Sequence, residues 1–219
     1  MPDHQAAIES IRSSYDRVAD AYAATYIDEL KNKPFDRDAL LRFARETAGH
    51  GPVCDMGCGP GQAARFLSDA GADVFGLDLS PGMIAEARRL NSGIEFREGN
   101  MQALPLEGGS LAGITAFYAI VNLPAEMRPQ VFREMTRVLK PGGLLLLTFH
   151  IGGEVLGVDQ LWGRPITMKF HTLNRDEVLG ELEGEGLRIE ECLERDPYPP
   201  PVEHQSRRAY VFARKPASR

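Results

Sequence analysis

The residues Val53-Cys54-Asp55-Met56-Gly57-Cys58-Gly59-Pro60-Gly61, followed by a second apolar run, Val74-Phe75-Gly76-Leu77-Asp78, constrain this chain more than any other part of it. A short apolar strand that enters a loop of alternating glycines, and then a strand tipped with a carboxylate, predicts an α/β sheet built to hold a nucleoside-bearing cofactor. Glycine allows the sharp turn and lets cofactor atoms approach the backbone where a Cβ would collide. Asp78, at the tip of the next strand, is placed to accept hydrogen bonds from both ribose hydroxyls.

A chain of 219 residues, 43% of them hydrophobic, is long enough for one domain with a full core. A net charge of −6 offers no attraction to phosphate backbones or anionic lipid, so neither nucleic acid nor membrane is an expected partner. The one local basic cluster, Arg207-Arg208, keeps the nucleic-acid question open. Met1-Pro2-Asp3-His4-Gln5 lacks a cationic start before an apolar stretch, and no apolar run reaches the length of a membrane span, which predicts a soluble, cytoplasmic protein. Cys54, Cys58 and Cys192 cannot all pair, and Cys54 and Cys58 are spaced by three residues with no histidines to complete a closed zinc site, so no metal is expected. They read as small buried side chains beside a tight loop.

Ile8, Ile11, Tyr15, Val18, Ala19, Tyr22 and Tyr26 recur at helical spacing and predict a helix or helix pair from about Gln5 to Leu30, packed on the body or covering the cofactor. Lys33-Pro34 interrupts it, and a short helix follows from Asp36 to Thr47. Strands are then expected at Val53–Met56, Asp73–Leu77, Ile94–Arg97, Leu111–Phe117, Leu144–Phe149, Leu187–Leu193 and Arg208–Ala213. Helices fall between them at about Gly61–Ala70, from Ser80-Pro81 onward, at Arg128–Leu139 and from Asn174 to Gly184 or Gly186. Such alternation builds a parallel sheet covered on both faces. Ile151 to His171, rich in glycine and holding the single tryptophan, breaks the rhythm as a lid or insertion would.

Gly59-Pro60-Gly61-Gln62-Ala63-Ala64 also satisfies a dinucleotide-type G-x-G-x-x-A. A pyrophosphate would then lie against a loop that begins with the Asp55 carboxylate, whereas a methionine tail carrying an ammonium and a sulfonium would welcome that charge. None of the six tyrosines is followed four residues later by lysine, so the usual acid of a hydride-transfer enzyme is missing. On these residues the chain resembles the class I S-adenosylmethionine-dependent methyltransferases of the small-molecule type, from Tyr15 to Ala213 and most strongly from Val53 to Gly143.

The resemblance implies a Rossmann-like, doubly wound sheet of seven strands, mostly parallel with an antiparallel last strand and helices on both faces. It implies one domain over 1–219, with an N-terminal helical cap at 1–48, a cofactor-binding half at 49–150 and an acceptor-side half at 151–219 that includes the insertion 151–171. The family's glycine motif falls on Asp55, Gly57, Gly59 and Gly61; its ribose-binding acid falls on Asp78, with Leu79 and Met83 flanking the nucleoside. Asn100 would read the adenine amino group, Met101 and Phe117 would pack near the cofactor, and Tyr15 would close over the methionine end. Leu139-Lys140-Pro141-Gly142-Gly143 matches the turn before strand five. Two departures stand out: Ala112 replaces an acid at the opening of strand four, and Asn122 replaces a histidine shortly after it.

The implied reaction is direct displacement of the sulfonium methyl onto a small-molecule acceptor, oxygen or nitrogen, with S-adenosylhomocysteine as product. Positioning and desolvation can carry much of such a rate, so a dedicated base is optional. Where one is used, His150, His171 and His204 are the candidates, His150 first because it ends strand five. Tyr118, Trp162, His171 and Arg207 are candidate acceptor contacts, with Phe170 and Tyr198 as further apolar wall. Arg207 and Arg208 could meet a substrate carboxylate or phosphate, but are read in preference as exposed arginines on an edge strand. A nicotinamide oxidoreductase and a non-catalytic S-adenosylmethionine-binding protein are the alternatives.

Overall fold

The computed structural model describes residues 2–217; Met1 and residues 218 and 219, inside the expected single-domain span, lie outside the described residues. The apolar spacing of the N-terminus yields one long helix, α1 (Pro2–Tyr26), rather than a pair, and a 3-10 turn at Glu29–Asn32 leads to α2 (Pro34–Thr47), which Pro34 opens. Strand and helix then alternate through β1 (Val53–Met56), α3 (Gln62–Asp69), β2 (Val74–Asp78), α4 (Pro81–Leu90) and β3 (Glu95–Glu98). They continue with β4 (Leu111–Phe117), α5 (Arg128–Val138) and β5 (Leu139–His150). The segment expected to break the rhythm is a hairpin, β6 (Val155–Leu161) and β7 (Arg164–His171), and α6 (Arg175–Gly184), β8 (Arg188–Arg195) and β9 (Arg208–Arg214) complete the chain.

Seven strands form one sheet in the order β3-β2-β1-β4-β5-β9-β8. The first five run parallel, β9 is antiparallel to β5, and β8 is antiparallel to β9. Alternate residues of β5 explain the layering: Leu144 and Leu146 face the α2 and α3 side with Phe43 and Leu67, while Leu145, Leu147 and Phe149 face Phe132 and Met135 of α5 and Leu182 of α6. Chain order reverses between β1 and β4, and a crevice opens there at the carboxyl ends of the strands.

Three expectations are corrected. Strand five begins at Leu139, because Leu139 pairs with Leu111 and the Lys140–Gly143 turn is carried as an irregularity within the strand. Strand β9 is interior and β8 is the edge, so Arg208 is not an exposed edge residue. Its side chain is 2% exposed, lies 3.2 Å from the Glu203 carboxylate and donates to the carbonyl of His204, which removes it from any basic surface.

The hairpin forms a sheet of its own. Its turn, Trp162-Gly163, has φ of 46° and 75°, the paired positive values of a tight turn whose twist matches the strands. It lies along α1: Ser10 Oγ donates to the Thr167 carbonyl, Arg164 pairs with Asp20, and Val18 packs with Ile166 and Met168. Among the described residues no helix is long and apolar enough to cross a membrane.

Beneath β9 and α2 sits a buried ionic cluster. The Asp36 carboxylate, fully buried, accepts from Arg195 at 2.8 Å and from Tyr210 Oη at 3.0 Å. Burial pushes its pKa up while the Arg195 guanidinium pulls it back. Removing Asp36 takes one of two carboxylates from Arg195, which keeps Glu203, and takes an acceptor from the Tyr210 hydroxyl. Asp36→Ala is therefore expected to lower stability by about 1–3 kcal/mol. Asp36→Asn should cost less, read from the urea midpoint at constant slope.

Candidate functional site

The crevice at the strand-order reversal is a cleft of about 850 Å³, open mouth included, roofed by α1. Its floor is the glycine loop. Gly57, Gly59 and Gly61 have φ of 71°, 51° and 86°, which L side chains rarely adopt, but the three glycines answer different needs. A Cβ on Gly61 would strike Asn91 Nδ2 at 2.7 Å and Phe96 Cζ at 2.8 Å, so that glycine serves packing of the loop on α4 and β3. A Cβ on Gly59 would meet only Tyr22 Cε1, at 3.8 Å, so that backbone faces open cleft.

Asp78 ends β2 at the cleft wall, where Oδ2 accepts from Gly59 N and Oδ1 from Ser80 N, both at 2.9 Å. Burial pushes its carboxyl pKa up, and the donated backbone N–H groups oppose that. Ser80 caps α4 by accepting from Met83 N, and its hydroxyl donates to Asp16 of α1 at 2.6 Å. Asp16 also accepts from Gly82 N, so one carboxylate seats the roof helix on the start of α4. Farther along, Asn100 and Met101 line the end next to β3, where Asn100 Oδ1 accepts from Gln102 N at 2.9 Å.

On the opposite side, Tyr15 Oη donates to Asn122 Oδ1 at 2.6 Å, and Asn122 Nδ2 donates to the Lys169 carbonyl of the hairpin. Burial raises the Tyr15 phenol, so it remains a neutral donor. Tyr118, just after β4, adopts φ of 55°. That left-handed backbone costs about 1–3 kcal/mol in a non-glycine residue. Its hydroxyl lies 3.0 Å from Tyr210 Oη, which ties this wall to the Asp36 cluster.

Of the residues expected at the cofactor, Tyr15, Gly57, Gly59, Asp78, Leu79, Met83, Asn100, Met101 and Phe117 line the cleft together, as does Tyr118 from the acceptor set. Asp55 does not: it is 1% exposed and its carboxylate accepts from Ala64 N at 3.0 Å, holding the start of α3. Gly61 likewise lies behind the loop, for the packing reason given. His150 lies behind Tyr118, ring centroids 5.0 Å apart, with Nδ1 2.7 Å from Ser206 Oγ. Burial, with help from Arg208, lowers its pKa to about 3, so it stays neutral and does not reach the cleft.

Trp162 is also outside the cleft; it packs edge-on against Tyr22 and Tyr26 at 6.0 and 6.1 Å. Phe170 joins the hairpin cluster and Tyr198 lies under Arg195, so the expected shared aromatic wall does not form. His171 sits on β7 away from the cleft, and Arg207 pairs with Glu194 and Asp196 at the surface. His204 lies 6.1 Å from the His150 ring, on the same remote side. The helical face through Ile8, Ile11, Tyr15 and Tyr22, expected to pack on the body or cover the cofactor, lines the cleft; Arg12 and Gln62 were not expected there, and Asn122 entered only as a replacement for a histidine.

A family model described as a methyltransferase domain matches residues 53–143. A malonyl-[acyl-carrier protein] O-methyltransferase from Enterobacter lignolyticus (strain SCF1) is 31% identical over 189 residues, covering 81% of this chain and 70% of that protein. A demethylmenaquinone methyltransferase from Renibacterium salmoninarum is 31% identical over 147 residues, covering 62% of this chain and 61% of that protein, so this chain spans less than two thirds of its length. Among solved structures, DhpI in complex with SAH has a TM-score of 0.71 at 24% identity, with 97% of this chain and 98% of that chain covered. A SAM-dependent methyltransferase from Methanosarcina mazei has a TM-score of 0.67 at 18% identity, covering 76% and 93%. Both structures share the fold.

Burial raises the Asp55 carboxyl to about 7, against about 4 in an unfolded chain. Between those values the folded state binds more protons, so the stability present below about pH 4 is lost as pH rises through 7. Asp55→Asn is expected to flatten that fall. Urea midpoints of both proteins between pH 4.5 and 8 test it; equal slopes would contradict it.

Proposed function

From membership of the class I S-adenosylmethionine-dependent methyltransferase family, to which this chain belongs, we propose that it transfers a methyl group to a small-molecule oxygen or nitrogen acceptor in a single domain. The cleft fits the donor on two counts: the Asp78 carboxylate is held rigidly at its wall, and the backbone at Gly59 faces space that no side chain fills. When bound, S-adenosylmethionine supplies an electrophilic methyl on a sulfonium centre.

Asp78 would hold the ribose, with Leu79 and Met83 against the nucleoside, Asn100 and Met101 around the base, and Phe117, at the end of β4, on the opposite side of the cofactor. Gly59 would leave room for the backbone approach; Gly57, where a Cβ would strike Ala119 at 2.5 Å, would let the loop pack on the segment after β4, and Gly61 and Asp55 would act at one remove, by keeping the loop and α3 in place. Tyr15, hydrogen-bonded to Asn122, would close the methionine end from the roof. The acceptor would enter on the β4 side, toward Tyr118 and Asn122. The observation that carries this reading is that one cleft joins a carboxylate end beside β2 to a second polar end beside β4, with α1 covering both.

Among the described residues no histidine lines the cleft, which favours rate gained by orientation and exclusion of water over proton abstraction by a dedicated base. The half-buried, neutral His150 would support Tyr118 from behind. The malonyl-[acyl-carrier protein] O-methyltransferase relative makes a carboxyl oxygen the first acceptor chemistry to try.

Incubation of the protein with labelled donor and a panel of carboxylate thioesters, phenols and amines should yield methylated product and S-adenosylhomocysteine in equal amounts. Donor binding with no product from any acceptor would favour a non-catalytic binding protein. A thermal shift with NAD(P) and none with S-adenosylmethionine would favour the oxidoreductase. Asp78→Asn is expected to weaken donor binding by about tenfold or more, since it reduces a charged acceptor to a neutral one. Calorimetry with S-adenosylmethionine would show it, and an unchanged affinity would remove Asp78 from the site.

A further inference from the structure

Gln62 opens α3 and lines the cleft, yet the glycine motif assigns it nothing. Its amide is oriented by an unusual constraint. Nε2 donates at 3.0 Å to Glu29 Oε1, and the other Glu29 oxygen is ion-paired with the buried Lys33. A carboxylate in that state only accepts, so the amide must turn its NH2 group toward Glu29. Its carbonyl oxygen, Oε1, is thereby turned away, buried, and without a hydrogen-bond partner. An orphaned buried acceptor is costly enough that native structures rarely keep one without use.

The sheet order says which part of a donor would lie there. With the ribose on Asp78 of β2, the base extends toward Asn100 and Met101 beyond β3, and the amino-acid tail must run the other way. That path crosses the open face of Gly59, beneath the Tyr22 ring, and past the first residue of α3. We propose that Gln62 Oε1 accepts a hydrogen bond from the α-ammonium of the donor's methionine tail, with the Lys33–Glu29 pair acting as the clamp that orients the amide. This rests on the donor-site reading above and adds to it a residue that selects for the amino-acid end of the ligand.

Calorimetry with S-adenosylmethionine, S-adenosylhomocysteine and 5′-methylthioadenosine, which lacks the amino-acid tail, provides the test. Gln62→Met keeps the side-chain volume and removes the carbonyl. It is expected to weaken both tailed ligands by about tenfold to hundredfold, the range for a hydrogen bond to a charged group. Methylthioadenosine should change by less than about twofold. Glu29→Gln, which lets the Gln62 amide turn over, should give a smaller loss in the same pattern and serves if the first variant does not fold.

Equal losses for all three ligands would overturn the proposal, because Gln62 would then be shaping the loop as a whole. Undiminished affinity for the tailed ligands would overturn it too. Failure of the wild-type protein to bind any of the three would instead overturn the donor-site reading itself.

Discussion

The two hydrogen bonds accepted by Asp78, one from Gly59 and one from Ser80, tie together the loop after β1, the tip of β2 and the start of α4. Everything at the cleft is referenced to that carboxylate. It is half-buried, and backbone donors hold it in place while leaving it at the wall of the cleft. Those same donors offset part of the cost of burying it. Asp55, one strand over, acts behind the cleft instead, where it accepts from Ala64 N and fixes where α3 begins, and hence where Gln62 sits.

The roof is built as deliberately as the floor. α1 is seated on α4 through Asp16, on the segment after β4 through Tyr15 and Asn122, and is backed along its other side by the β6–β7 hairpin. Trp162, at the hairpin turn, supports Tyr22, and Tyr22 lies over Gly59. The hairpin therefore acts on the cleft through α1, without lining it. A segment that broke the strand–helix rhythm of the sequence turns out to brace the helix that closes the site.

Behind Tyr118 a network of Asp36, Tyr210, Arg195 and Glu203 is nearly closed to solvent. Arg195 donates to both carboxylates and to the Tyr210 oxygen, so each charged group has a partner. Tyr118, held in left-handed backbone, is joined to this network by its hydroxyl. Strain at the carboxyl end of a central strand persists when surrounding structure over-determines it, and here the network does so. His150 and Arg208 belong to this supporting layer, which is why neither reaches the cleft.

Local pattern was enough to read the parallel sheet, the glycine loop, the Ser80 and Asn174 helix caps and the acid at the tip of β2 from residue order alone. These depend on nearest-neighbour chemistry: strand and helix periods, turns that need glycine, side chains that satisfy helix ends. The glycine spacing drew Asp55 and Gly61 into the expected site, because a motif in one dimension does not tell which members face the ligand and which face the core. His150, Trp162 and Arg207 were misplaced for a related reason, since the end of a strand or a loop names a neighbourhood about one side chain wide. The bracing of α1 by the β6–β7 hairpin, the burial of Arg208 on an interior strand, and the clamp of Lys33 and Glu29 on Gln62 were decided only by tertiary packing. Each joins residues far apart in the chain, and burial sets their energies, so composition and spacing carry no trace of them.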